Sequence, residues 1–302
     1  MSAAVSPWDS FTRIGIEKPV LRTFLCAKNL TVPARDGVPL AVTVYEPGNT
    51  VPERVVIVAP ATAVRKSFYE PYARWLASQG CVAITFDYRG IGGSLHGAIE
   101  HVNATIRDWG EKDYAAIVDW ARATYGRQKL CVVGHSVGGQ LVGILDNAHE
   151  IDAVCTVAAQ NGFYKRYPLR EAITYGLLWH VMPLITRLFG YFPAKRWKLG
   201  ENLPKGVALE WARFCKNPDY MIDENGTPLR AGFEKYEGRV LAYSFADDAR
   251  APKSCVELLH SLFTKARVEH RHVTYPVGHV GFFFAKYKHT LWQESLEFLR
   301  SA

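Results

Sequence analysis

The sequence predicts an α/β protein: a mostly parallel, doubly wound sheet with a helical cap inserted after the sixth strand. Three observations carry this. Short β-branched runs alternate with helical patterns along most of the chain, the pattern of a parallel sheet whose crossovers cover both faces. The 302 residues are 48 % apolar, enough to bury such a sheet on both sides. Finally, Leu130-Cys-Val-Val-Gly134-His135-Ser136-Val137-Gly138-Gly139 runs from a β-branched strand through Gly-x-Ser-x-Gly into an apolar helical start, a strand-to-helix turn sharp enough to need small residues on either side.

In chain order, an N-terminal arm to about Arg22 precedes strands near Phe24–Val32 and Pro39–Tyr45, which can pair antiparallel across Asp36-Gly37. The parallel strands are expected at Arg54–Ala59, Cys81–Phe86, Leu130–Val133, Ala153–Ala158, Arg239–Phe245 and Glu269–Thr274. Between them, Phe68–Gln79, Trp109–Thr124 and Gly138–His149 read as helices, and another follows Pro252. The stretch from Ala158 to Arg239 is too long for a simple crossover and is rich in aromatics and prolines. The chain therefore divides into a first core part (1–159, with the arm 1–22), a cap (160–238) and a second core part (239–302). Within the cap, Ile173–Phe192 approaches membrane-span length, but His180, Pro183 and Arg187 interrupt it. A pair of cap helices is expected there rather than a transmembrane segment.

A serine at the tip of a strained turn projects its hydroxyl above the sheet, which makes Ser136 the candidate nucleophile. Such a serine needs an imidazole to take its proton and a carboxylate to orient that imidazole. Arg239–Phe245 ends in Ala246-Asp247-Asp248-Ala-Arg-Ala-Pro252, an acid-bearing turn, and the register to Pro252 favours Asp248 over Asp247. Asp247 would then cap the following turn. His279 lies in the glycine-flanked loop Gly278-His279-Val-Gly281, whereas His270 and His272 alternate on a strand. Loops carry function and strands carry scaffold, so His279 is the expected base. His135, beside the nucleophile, is expected to line the elbow or pocket.

Together these residues resemble the α/β-hydrolase superfamily, whose members carry Ser, Asp and His in this chain order. The resemblance extends to Asp36-Gly37, Pro60-Ala-Thr-Ala, Asp87-Tyr-Arg89-Gly90, Phe245-Ala-Asp-Asp and Gly278-His-Val-Gly-Phe-Phe. Within the superfamily it is similar to a group of bacterial serine hydrolases of the serine aminopeptidase-like and monoacylglycerol lipase-like branch. It implies an oxyanion hole built from the N–H of Val137 and of Thr62, with Ala61 and Ala63 as alternatives, although Ala61 stands where relatives often have glycine. It also implies a serine esterase acting on a carboxylic ester or thioester through an acyl-enzyme. Peptidase, amidase or acyltransferase chemistry uses the same triad, and a non-catalytic ligand-binding protein is the alternative of another class. Superfamily members that use a carboxylate nucleophile are excluded by Ser136. Ala61, Ala63, His135, Trp179, Trp211 and Phe282 are the expected pocket residues. Asp87, Arg89 and Ser94 are expected to shape a loop near it.

Composition narrows the rest. Six cysteines are dispersed without a Cys-x-x-Cys pair, as in a reducing compartment, and neither a zinc-ligand spacing nor a phosphate-binding glycine loop is present, so no metal or cofactor is expected. No cation precedes Arg13, so no secretory signal is expected and the location is read as cytoplasmic. The formal charge of +7 comes without a recognition module, which argues against nucleic acid. Residues 160–216 hold ten Lys and Arg against three Asp and Glu, a net +7, while residues 217–238 hold two against five, a net −3. A positive cap around an apolar mouth formed by Trp179, Phe189, Trp197 and Trp211 would favour a small anionic or amphiphilic acyl substrate. Nothing in the sequence bears on oligomeric state.

Overall fold

The computed structural model describes residues 26–48, 51–126 and 128–302. The expected N-terminal arm and the first residues of the first expected strand fall outside them.

Eight strands form the sheet: β1 (Cys26–Pro33), β2 (Pro39–Glu46), β3 (Arg54–Ala59), β4 (Cys81–Phe86), β5 (Lys129–His135), β6 (Ala153–Val157), β9 (Arg239–Phe245) and β10 (Arg267–Val273), in the order β1-β2-β4-β3-β5-β6-β9-β10. The first two pair antiparallel across the Asp36-Gly37 turn and β2 meets β4 antiparallel. Every other pairing is parallel. Because side chains alternate across a strand, each central strand feeds two cores. Val55, Ile57 and Ala59 enter one with Leu130 and Val132, whereas Val56 and Val58 enter the other with Cys131 and Val133.

Helices α1 (Glu70–Ser78) and α10 (Leu291–Arg300) cover the second core, where Tyr72, Trp75 and Trp292 pack ring on ring. The opposite face carries α2 (Ile106–Asp108), which a wide π turn at Trp109–Tyr114 joins to α3 (Ala115–Tyr125). A capping box between Thr105 and Asp108 starts this run three residues earlier than expected.

The helix expected over Gly138–His149 is instead a four-residue α4 (Val137–Gln140) followed by short 3₁₀ turns. Asn147 gives its side-chain amide to the carbonyl of Ala115 and to Asp119, and such side-chain bonds compete with helical continuation. The segment between β6 and β9 carries α5 (Leu169–Phe189), the small ribbon of β7 (Tyr191–Phe192) and β8 (Leu203–Pro204), α6 (Lys205–Phe214) and α7 (Ala231–Lys235). The apolar run is thus one helix through Pro183, not two. Its buried inner face, with Trp179, Met182, Pro183 and Thr186, holds the helix together where Pro183 supplies no N–H. Its partner is α6, with the rings of Trp179 and Trp211 4.8 Å apart. After β9 come α8 (Lys253–His260) and, beyond β10, the one-turn α9 (Gly278–Gly281).

Candidate active site

Ser136 sits between β5 and α4 with φ 49° and ψ −114°, a conformation that L-residues avoid and that persists only where the surroundings impose it. The imposition is visible in the glycines. A Cβ on Gly138 would lie 2.3 Å from the Ala59 carbonyl oxygen, and one on Gly134 would lie 2.6 Å from the Gly139 nitrogen. Helix and strand therefore meet at a separation that no side chain permits. The Ser136 N–H donates to Val157 O at 2.8 Å, tying the turn to the next strand. Ser136 lines a cavity of about 260 Å³ together with His279.

Two loops at the same end of the sheet complete the arrangement. His279 Nδ1 lies 2.8 Å from Asp248 Oδ2, and both side chains are largely buried. The carboxylate can only accept, so Nδ1 carries the proton and Nε2 is left bare as an acceptor. The other oxygen of Asp248 receives the N–H groups of Arg250 and Ala251. Asp247 does not cap that turn, as expected from sequence; it turns the other way, and its Oδ1 accepts from Val277 and Gly278 at 3.0 and 2.9 Å. Burial would raise its pKa, but these two N–H groups prevail and hold it below the usual carboxylate range. One aspartate thus orients the histidine and its neighbour holds the histidine's loop. His270 and His272 stay on β10, both bonded to Ser244 Oγ, away from the cavity.

Val137 N–H, at the first turn of α4, and Thr62 N–H have no hydrogen-bond partner among the described residues, and Thr62 lines the cavity. Ala61 is excluded as a donor because its N–H is already bonded to Tyr69 Oη at 2.8 Å. That bond belongs to a buried chain of contacts. His135 Nε2 lies 2.8 Å from the carbonyl oxygen of His279, and Nδ1 lies 2.8 Å from Tyr69 Oη. A carbonyl only accepts, so Nε2 holds the proton and Nδ1 accepts from the tyrosine hydroxyl. Burial keeps His135 neutral by lowering its pKa far below the ordinary value, and it raises that of Tyr69. The wire runs from the loop of His279 to the loop of Ala61 and Thr62.

Ala61, Ala63, His135, Trp179 and Trp211 line the cavity as expected. Phe282 does not: it is fully buried among Tyr72, Tyr243 and Phe283, and Val280 takes the wall position after His279. Phe189 and Trp197 also lie outside the lining and are partly exposed. Asp87, Arg89 and Ser94 lie outside the lining. Asp87 accepts the N–H groups of Lys66 and Gly93, and Arg89 makes a bidentate pair with Asp36 and a second pair with Asp113. The guanidinium beside Asp36 lowers its pKa to about 2. Among the residues that sequence reasoning missed are Tyr69, Tyr175, Met182, Gln160, Val280 and Arg250. The last lines the cavity two positions after Asp248 without an ion-pair partner among the described residues.

This chain belongs to the alpha/beta hydrolase family, whose family model matches residues 55–287. No curated protein matches the sequence. Among solved structures, an esterase from Exiguobacterium antarcticum superposes with a TM-score of 0.60 at 15 % identity, covering 90 % of this chain and 100 % of that one. An esterase from Pyrococcus furiosus gives 0.62 at 16 % identity, covering 92 % and 91 %. A hypothetical protein from Pseudomonas aeruginosa gives 0.62 at 15 %, covering 100 % and 99 %. At such identities the likeness is one of fold.

Proposed function

We propose that the chain is a serine hydrolase that cleaves a carboxylic ester or thioester through an acyl-enzyme. The observation that supports it best is the His279–Asp248 contact of 2.8 Å beside a strained serine that opens onto an apolar cavity. In this reading Ser136 Oγ attacks the acyl carbonyl while His279 Nε2 takes its proton, and Asp248 stabilises the imidazolium through Nδ1–H. The N–H groups of Val137 and Thr62 receive the oxyanion, and collapse expels the alkoxide or thiolate with the proton from His279. Water, activated by the same imidazole, then releases the acid and returns the proton to Ser136.

The lining favours esters over peptides. Among the described residues, the Lys, Arg, Asp and Glu side chains reach it only through Arg250, so no carboxylate is present to hold a substrate amine. Glu171 is outside the lining, Glu201 pairs with Arg65 and Lys195, and Glu210 serves Arg107 N–H and Arg213. The same cation supports an anionic acyl substrate. Acyl transfer to an acceptor other than water would use this site unchanged, whereas a purely ligand-binding protein has no need of the oriented His279. A fluorophosphonate probe should label the native protein at Ser136, with labelling lost in Ser136→Ala; persistence of the label in that variant would refute the assignment. An ester and thioester panel of graded acyl length then ranks the substrates.

A further inference from the structure

Helix α5 has two unlike faces. Its inner face contributes Tyr175, Leu178, Trp179 and Met182 to the cavity. Its outer face carries Leu169, Ile173, Leu177, Val181, Leu184 and Leu188, spaced by three or four residues and therefore one stripe on a helix. Leu169, Ile173, Leu177, Leu184 and Leu188 are 65–80 % exposed. The stripe runs for about 28 Å at the helical rise. Soluble surfaces scatter single exposed leucines, but an unbroken row of this length marks a contact surface.

The charge around the row selects the partner. Lys165, Arg166 and Arg170 stand exposed at its N-terminal end and Arg187 at its other end, none of them in an ion pair among the described residues. The shallow groove beside Leu184 is bordered by Arg187, Arg213 and Lys216 against Glu210 and Glu224, so it too is positive on balance. A second copy docking face to face would bring these cations against their own equivalents. Residues 1–25 carry three Lys and Arg against two Asp and Glu, so that segment offers no negative complement either. A bilayer with anionic headgroups supplies both an apolar layer and opposite charge. Among the described residues α5 is the helix long and apolar enough to cross a membrane, at 21 residues, yet its inner face is committed to the cavity and to α6. It is therefore shaped to lie in the interface rather than to span it.

We infer that the outer face of α5 docks the protein onto an anionic lipid surface, with its apolar row in the acyl boundary and its flanking cations on headgroup phosphates. The docking does not depend on the hydrolase reading. Full-length protein should co-sediment with vesicles of phosphatidylglycerol and phosphatidylcholine, and bind pure phosphatidylcholine vesicles about tenfold more weakly or less. Leu177→Ser with Leu184→Ser should cut binding to the mixed vesicles at least about tenfold while turnover of a soluble short-chain ester stays within about twofold. Arg170→Gln with Arg187→Gln should lower binding to the mixed vesicles about tenfold and leave the weak binding to phosphatidylcholine unchanged. Ser136→Ala should bind as the native protein does, which keeps this test separate from catalysis. Absence of vesicle binding by the native protein, or binding indifferent to the leucine pair, would overturn the inference. A concentration-dependent dimer that the leucine substitutions dissolve, without vesicle binding, would assign the face to a second copy instead.

Discussion

The sheet end that carries Ser136 and the inserted segment that closes over it are built on opposite principles. Around Ser136 the supporting residues are fixed by steric limits and directed hydrogen bonds: Gly138 and Gly134 allow no Cβ, Asp247 holds the histidine loop, and Tyr69 with His135 links that loop to Ala61. The inserted segment reaches the same cavity through Tyr175, Leu178, Trp179, Met182, Phe192 and Trp211, held mainly by apolar packing. Chemistry demands atoms placed within a few tenths of an ångström, and hydrogen bonds with fixed directions provide that. Recognition of an acyl chain demands only shape and apolar area, for which one large apolar residue substitutes for another at modest cost. The two halves of the site should therefore respond differently to mutation.

The largest expected contrast lies within the first half. Asp248→Asn should lower turnover about 10⁴-fold, because the amide leaves the imidazole in the wrong tautomer. Asp247→Asn should lose far less, since its neighbour still orients His279 and only the anchoring of Val277 and Gly278 weakens. Turnover of the two variants, with KM measured for each, decides the assignment; a larger loss at Asp247 would transfer the orienting role there.

This contrast also explains what could be read from the chain beforehand. Strands β3, β4 and β9 coincide with their expected residues because buried parallel strands are short apolar runs bounded by turns. The elbow was legible because its glycines answer to steric rules that any sequence must obey. Phe282 and Asp247 were misread for a common reason: both depend on which way consecutive side chains diverge, and spacing does not encode that. The helix after Ser136 was over-extended because the bonds from Asn147 to Ala115 and Asp119 bridge positions 28 to 32 residues apart. Tyr69 gave no signal at all. Its role exists only because α1 brings the end of Lys66–Tyr69 beneath β5, where Tyr69 meets His135 from 66 residues away.

Tyr69→Phe tests whether that wire positions the site or merely fills the core. The substitution leaves the Ala61 N–H and His135 Nδ1 buried without a partner, a cost of about 1–3 kcal/mol for each group. If the wire holds the oxyanion loop in register, kcat should fall about 10²-fold with KM little changed, as for a displacement of about 1 Å among reacting groups. A lower melting temperature with kcat intact would make Tyr69 a structural residue and nothing more.

The smallest expected effect belongs to the recognition half and concerns Arg250, a cation that lines the cavity two positions after Asp248. Because Arg250 is not part of the basic run at residues 160–216, replacing it leaves that run intact and distinguishes two sources of preference for an anionic substrate. Arg250 is exposed where it borders the cavity, so a direct pair with a bound ester weakens only partly with salt, whereas attraction by more distant cations fades sooner as the screening length shortens to about 3 Å at 1 M. Arg250→Gln should therefore reduce kcat/KM for an anionic ester about tenfold at low ionic strength and by less at 1 M, and leave a matched neutral ester within about twofold at both. If the native preference for the anionic ester vanishes in 1 M salt and Arg250→Gln changes neither substrate, discrimination comes from the field of the inserted segment. Equal rates for both esters at every ionic strength would leave the surrounding charge without a part in substrate choice.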